Sequence, residues 1–301
     1  MNRINFFYNL LTKSSGKGAL DTLSRKLRFI LRTLFTIPYS ILMLNFIYKH
    51  QYLSTSIFTY MTLLSKIYRP YLSSIFGLKS KYQLLIENYK FIDKYFPSEF
   101  KKKLYNKEKV TLAKFKGNKE EFEIFLSFYP NFDKEGDIEI KLKDSNNIYL
   151  STITFSITKY NGENTLFIGG IQGPKKGTDK EYIKKITKNL YGIFPKKLLL
   201  EALYSLVKYI CIDLEIICVG DKVHIYTDKR YIHKKKIRAS YDEFIKSLNG
   251  IQQKNGLWKL PNELTKKPID SVSSNKRSEY KKRYQILEEI DNSIKEVLTN
   301  F

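Results

Sequence analysis

Three glycines in five residues, Gly169, Gly170 and Gly173, close a β-prone run that starts at Thr165, and Pro174 follows them. Glycine at this density at the end of a buried strand means backbone brought close to something, or torsions that only glycine tolerates. The basic Lys175-Lys176-Gly177 comes next. Thr178 and Asp179 then offer N-caps to a helix with Tyr182, Ile183, Ile186 and Leu190 at helical spacing. A strand, a Gly-rich turn and a helix N-terminus can together hold an anion. The same order occurs in many αβ connections that bind nothing, and geometry alone favours that plainer reading.

A second group is the basic cluster Lys276, Arg277, Lys281, Lys282 and Arg283, with Tyr280 and Tyr284 interleaved. Lys276, Tyr280 and Arg283 or Tyr284 fall on one side of a helix. It reads equally as a site for an anionic ligand (CoA, lipid A, a phospholipid or RNA) and as the solvated face of a terminal helix. Glu139 is a candidate general base by position only, and its place in an alternating strand favours a solvent-facing carboxylate. Ser240 before Tyr241-Asp242-Glu243 reads as an N-cap with acidic residues in the first turn. Trp258 and Pro261 read as a loop anchored on the core. Cys211 and Cys218 lie in apolar runs and read as small core residues. The scattered His50, His224 and His233 form no metal-ligand spacing, so no metal is expected.

The elements that must position these residues change period along the chain. Residues 1–20 read as a flexible, weakly structured lead. A helical region follows over 21–107. Within it lie an uncharged run, Thr33–Tyr48, an apolar helix over Tyr52–Ile67, an amphipathic one over Tyr82–Tyr95, and a short basic one from Pro97-Ser98-Glu99 to Tyr105. The Thr33–Tyr48 run is shorter than the ~20 apolar residues of a spanning helix and carries Pro38, so it reads as buried or docked on a membrane surface. Arg25, Lys26, Arg28 and Arg32 before it would suit anionic headgroups, or else form a solvated face. From Val110 the pattern alternates with period 2. Five strands are expected, over Val110–Phe115, Phe122–Phe128, Ile138–Leu142, Tyr149–Thr158 and Thr165–Gly173, with Asn161-Gly162 as a hairpin turn. Helices over Asp179–Tyr191, capped by Gly192, and Pro195–Ile212 precede a strand at Leu214–Val219. A short strand at His224–Thr227 and a last helix from about Asn275 to Val297 complete the reading.

The 301 residues carry a formal charge of +23; of the 53 Lys and Arg only nine are Arg. Such a field draws anionic partners, and its lysine excess favours diffuse attraction over forked recognition. Helix-turn-helix, RRM and zinc-finger patterns do not occur, so nucleic-acid binding is expected to be non-specific. The N-terminus lacks the h-region and cleavage site of a signal peptide, so the expected location is cytoplasmic, peripheral to the inner membrane.

IGGIQGPK, IKKITKNLYGIFPKKLLLEAL, SYDEF, GLWKLP and SSNKRSEYKKRYQILEEI, with Arg69-Pro70-Tyr71 and Asn88-Tyr89 upstream, resemble in order the bacterial VirK/YbjX family over roughly residues 60–297. Ile245 stands where the family often has Trp, and Asn88 where it often has His. The resemblance implies an envelope-stress protein associated with virulence and tolerance of cationic antimicrobial peptides, and it supplies no catalytic residues. It also marks 108–301 as the family's α+β domain, packed with the helical region as one unit. The order of elements is in addition similar to the GNAT acyltransferases, whose turn after the fourth strand binds an acyl-CoA pyrophosphate. Here the turn matches imperfectly, and two helices precede the next strand; the resemblance implies that Gln172, Gly173 and Gly177 would approach the phosphates while Lys175 and Lys176 supply charge. The expected fold is therefore α+β, an N-terminal α-helical layer followed by an antiparallel-to-mixed sheet packed with helices. Two functions follow. One is an acyl- or aminoacyl-transferase on envelope components, using acyl-CoA or another acyl donor. The other is a non-catalytic module binding an anionic partner: a CoA-type ligand, an anionic lipid or a lipopolysaccharide precursor.

Overall fold

The computed structural model describes residues 2–174, 177–210, 213–231 and 241–301. The helical layer comprises α1 (Arg3–Lys13), α2 (Leu23–Phe35), α3 (Tyr39–Lys49), the single turns α4 (Leu53–Ser56) and α5 (Thr62–Ser65), α6 (Leu78–Tyr95) and α7 (Ser98–Tyr105). Three expectations need correction here. The weakly structured lead is helical over α1, capped by the Asn2 side chain, with Phe6 and Leu10 buried. The Thr33–Tyr48 run is two helices, not one. Pro38, which lacks an N–H, sits in the break, and α2 and α3 meet at 111°. The 52–67 segment breaks into α4, a 3-10 turn at Ile57–Thr59 and α5. Its hydroxyls explain this: Thr55, Thr59 and Ser65 each donate to the carbonyl three residues back, competing with helix propagation.

Period 2 produces the meander as expected: β1 (Val110–Lys116), β2 (Glu121–Phe128), β3 (Ile138–Asp144), β4 (Tyr149–Tyr160) and β5 (Glu163–Gln172), each antiparallel to the last. Asn161 and Gly162 both take the left-handed conformation, φ 53° and 92°, which a two-residue hairpin loop between Tyr160 and Glu163 requires. Helices α8 (Lys180–Asn189, capped by Asp179) and α9 (Pro195–Ile210) then lead to β6 (Glu215–Cys218). β6 runs parallel to β5, pairing Thr165 with Glu215 through Ile168 with Cys218. After α10 (Tyr241–Lys246) come β7 (Ile251–Gln252), β8 (Trp258–Leu260) and the long α11 (Ser274–Thr299). The strands form one mixed sheet in the order β1-β2-β3-β4-β5-β6-β8-β7. The fold is thus α+β, with a helical layer ahead of a mixed sheet.

α6 lies on β4: the Asn88 side-chain oxygen accepts from Ile157 N (3.0 Å), and Thr158 Oγ1 donates to Leu84 O (2.9 Å). Asn88 is fully buried, so in this chain it serves the strand beneath it. The strand expected at His224–Thr227 is a 3-10 turn, because the His224 ring accepts from Tyr226 N and Thr227 Oγ1 returns to His224 O. Cys218 is buried as expected, and its thiol pKa is pushed up by that burial. Cys211, His233 and Ser240 lie outside the described residues.

Candidate functional site

The glycines of β5 are explained by a loop 34 residues earlier. Residues 129–137 connect β2 to β3 and drop into the molecule, carrying Glu135 to full burial and Asp137 nearly so. A Cβ at Gly169 would come closer than 3.0 Å to the Glu135 carbonyl, and one at Gly170 would collide with the Glu135 carboxylate. Gly136 lies against the Phe155 backbone just as tightly. β5 accommodates the loop with a bulge: Thr154 pairs with Gly170 and Phe155 with Ile168, which leaves Gly169 over. The backbone is indeed brought close to something, and that something is the chain itself.

Polar partners meet Glu135 from three elements. Gln172 Nε2 donates to both its carboxylate oxygens (3.2 and 3.1 Å) and to Tyr241 Oη (3.0 Å). His224 Nδ1 accepts from Tyr226 N, so in the neutral ring the proton sits on Nε2. That Nε2 lies 3.6 Å from Glu135 Oε1, beyond hydrogen-bond range. Burial holds the His224 pKa down at about 4. Burial also raises the Tyr241 and Tyr226 hydroxyls, with the Glu135 charge adding to it.

On the other side of Gly136, Asp137 accepts from Lys66 Nζ (2.7 Å), from Tyr89 Oη (2.8 Å) and from Tyr71 Oη, while its N–H donates to Ser156 Oγ (3.1 Å). Lys66 and Asp137 are both buried. A buried carboxylate beside a neutral imidazole and phenols is a set of groups suited to proton transfer. Here each carboxylate is held by internal donors.

The imidazole gives a pH prediction. His224 binds its proton near pH 6.5 when unfolded and near 4 when folded, so the unfolded state holds more protons between those values. The stabilisation is complete above 6.5 and is lost as pH falls through 4, about 3 kcal/mol in all. Urea unfolding across that range should show this slope, and His224→Gln should flatten it. An unchanged slope in the variant would refute the assignment.

The residues expected at the turn divide. Gln172 is turned inward to Glu135 and Tyr241. Among the described residues, a Cβ at Gly173 would meet Lys196 alone and one at Gly177 nothing within 4 Å; Gly177 takes φ +93°, a conformation that calls for glycine. Lys175 and Lys176 lie outside the described residues.

On α11, Arg277 is tied to Val272 O (2.9 Å) and Asp270 O (3.4 Å). Arg283 donates twice to Tyr191 O (3.0 and 2.8 Å) and stacks over Tyr280 at 4.0 Å. Tyr284 Oη donates to Lys267 O (2.7 Å). Tyr280, Arg283 and Tyr284 line a groove of about 420 Å3 with Lys197 and Lys267. Lys276 is exposed at the start of the helix. The first turn of α9 links the two sets, Lys196 facing Gly173 and Lys197 facing the groove.

Glu139 is not solvent-facing. It is buried, ion-paired with Lys141, and accepts from Ser127 Oγ (3.1 Å) and Asn131 N (3.3 Å). Asp242 holds Asp221 N (3.0 Å) and Trp258 Nε1 (2.9 Å), a structural duty that fixes the buried Trp258 in β8.

α2 presents an exposed apolar face. Leu23, Leu27, Leu31 and Leu34 share one face and are all more than half exposed. Buried Phe29 is on the opposite face, roughly half a turn round the helix. With Phe35, Ile37, Ile41 and Leu42, this face holds eight of the fourteen large apolar residues left exposed among the described residues, a concentration and not a scatter of single residues. Arg25, Arg28 and Arg32 lie roughly 140° round the helix from the leucines, on the side turned to the body. Among the described residues no single helix is long and apolar enough to cross a membrane.

Residues 18–296 match the family described as a protein of unknown function (DUF535). The uncharacterized protein YbjX of Escherichia coli strain K12 is 34% identical over 227 residues, 75% of this chain and 68% of its own length. Two uncharacterized proteins of Haemophilus influenzae are 31% and 32% identical, over 52% and 44% of this chain. The aligned regions span only 51% and 44% of those two relatives. No solved structure matches.

Proposed function

The chain belongs to the DUF535 family, and from that premise we propose that it is a peripheral module of an anionic membrane surface, seated by α2 and the elbow into α3. One observation carries this reading: the leucine face of α2 is turned away from the body of the protein while arginines occupy the other side of the same helix. A helix with an outward apolar stripe and a basic flank lies in the plane of a lipid interface. Each leucine moved out of water contributes about 1.5–3 kcal/mol, and each basic group near an anionic surface about 1 kcal/mol. Three or four of each suffice for reversible attachment, and the +23 field steers the approach.

A transferase would need the Gln172–Gly177 turn to open on a pocket for an acyl donor. Gln172 instead binds inward to Glu135 and Tyr241, which favours the binding module. In an envelope-stress role, such a module would act at the cytoplasmic face of the inner membrane.

Vesicle sedimentation tests the proposal. The protein should pellet with phosphatidylcholine vesicles containing phosphatidylglycerol and much less with phosphatidylcholine alone. Leu27→Glu with Leu31→Glu should reduce binding at least about tenfold, since each change removes a favourable leucine transfer and adds a repelled charge. Both positions are exposed, so the melting temperature should hold. Equal binding of variant and wild type would overturn the proposal. So would a wild-type dimer in solution that the variant abolishes, since the stripe would then be a contact between copies.

A further inference from the structure

The chain uses arginine sparingly, and four of its nine line one cavity of about 260 Å3. Arg25, Arg28 and Arg32 enter it from one face of α2, and Arg69 enters from the end of the Met61–Arg69 segment opposite. A fifth, Arg230, donates from beside it to Tyr68 O (2.9 Å). In a chain whose positive charge is otherwise mostly lysine, this places the forked donors together.

Acidic compensation is thin. Arg25 pairs with Asp21 at 2.7 Å, both more than half exposed. Among the described residues no carboxylate pairs with Arg28, Arg32 or Arg69. Arg32 lies over the Tyr68 ring at 5.5 Å, and Arg28 Nε donates to Ser24 O at 3.1 Å. Guanidinium groups converging without anions repel one another unless something neutralises them. Planar, multiply donating cations suit an anion with several oxygens on one centre.

We propose that this cavity binds the phosphate of a phosphomonoester, presented as a lipid headgroup. Several guanidinium groups match the charge and three terminal oxygens of a monoester better than the single charge of a diester. The arginine face of α2 lies roughly 140° round the helix from its leucine stripe. A helix seated on its leucines therefore holds the cavity on its side away from the apolar layer, about one helix diameter up, at the outer edge of the headgroups. The lipid source rests on the membrane proposal above; the affinity for phosphate does not.

The test has two arms. In the first, binding to vesicles of phosphatidylcholine with phosphatidic acid is compared with phosphatidylglycerol, at matched surface potential. Phosphatidic acid should be preferred at least about tenfold. Arg28→Gln with Arg69→Gln should abolish the preference, with the lost charge weakening binding to both kinds of vesicle alike. Arg28→Lys with Arg69→Lys, which keeps the charge, should lose most of it too. In the second arm, glycerol 3-phosphate should raise the melting temperature of the wild type and not of the Gln variant. A soluble-ligand effect without vesicle binding would support the cavity and sink the membrane reading. No preference and no thermal shift, or a preference that survives Arg28→Gln with Arg69→Gln, would overturn the cavity assignment.

Discussion

Replacing Asp137 by Ala should cost the protein about 3–5 kcal/mol, enough to exhaust much of a typical domain's stability. The cause is the group left behind. Lys66 is buried against Asp137 at 2.7 Å, and its other acceptor is the Gly136 carbonyl at 3.1 Å. Without the carboxylate, an ammonium group remains in the interior with one hydrogen-bond acceptor, the Tyr89 hydroxyl loses its acceptor, and Tyr71 keeps only Ser156 Oγ. Removing both ends is a different experiment. Asp137→Leu with Lys66→Met replaces the pair by apolar volume and should recover a large part of the loss, because a buried ion pair is dear to break and cheap to exchange. Urea midpoints of the wild type and the two variants decide it. An Asp137→Ala cost below about 1 kcal/mol would mean that water reaches Lys66, and the enclosed network described above would be wrong.

The second large effect separates two adjacent glycines. Gly169→Ala and Gly170→Ala should each cost about 3 kcal/mol or more, since both added methyl groups meet Glu135 in a filled interior. The atoms they meet differ. At Gly170 the obstacle is the Glu135 side chain, and at Gly169 it is the Glu135 backbone. Glu135→Ala should therefore relieve Gly170→Ala by at least about 2 kcal/mol in a double-mutant cycle and leave Gly169→Ala nearly unrelieved. Equal relief at both positions would show that the loop simply moves away, and that the glycines are not there to admit it.

These two residues also mark how far the sequence could be read. Gly169 and Gly170 announced a close approach, but their partner lay in NFDKEGD, a charged stretch with a glycine between two strands. Nothing in its composition distinguishes a loop that folds inward from one that does not. The meander was legible because period 2 and Asn161-Gly162 are local signals. Helix α1 was not, because its burial rests chiefly on Phe6 and Leu10, too short a pattern to stand out. Spacing grouped Lys276, Tyr280 and Arg283 or Tyr284 on one side of α11, but it could not reveal the Tyr191 carbonyl that receives Arg283. The same limit hid the stripe on α2. Periodicity groups leucines on a face; it does not say whether that face points into the protein or away from it.

The 111° elbow between α2 and α3 sets how the proposed foothold behaves in time. α3 turns back so that Met43 and Ile47 are buried in the body, which stops α2 from sliding deeper into a bilayer. Attachment is then shallow and countable. With each leucine worth roughly a decade in residence time, four of them give a grip that lasts long enough to find a ligand and releases without any machinery to extract it. Evolution could lengthen or shorten the stay by one residue at a time, leaving the fold beneath untouched.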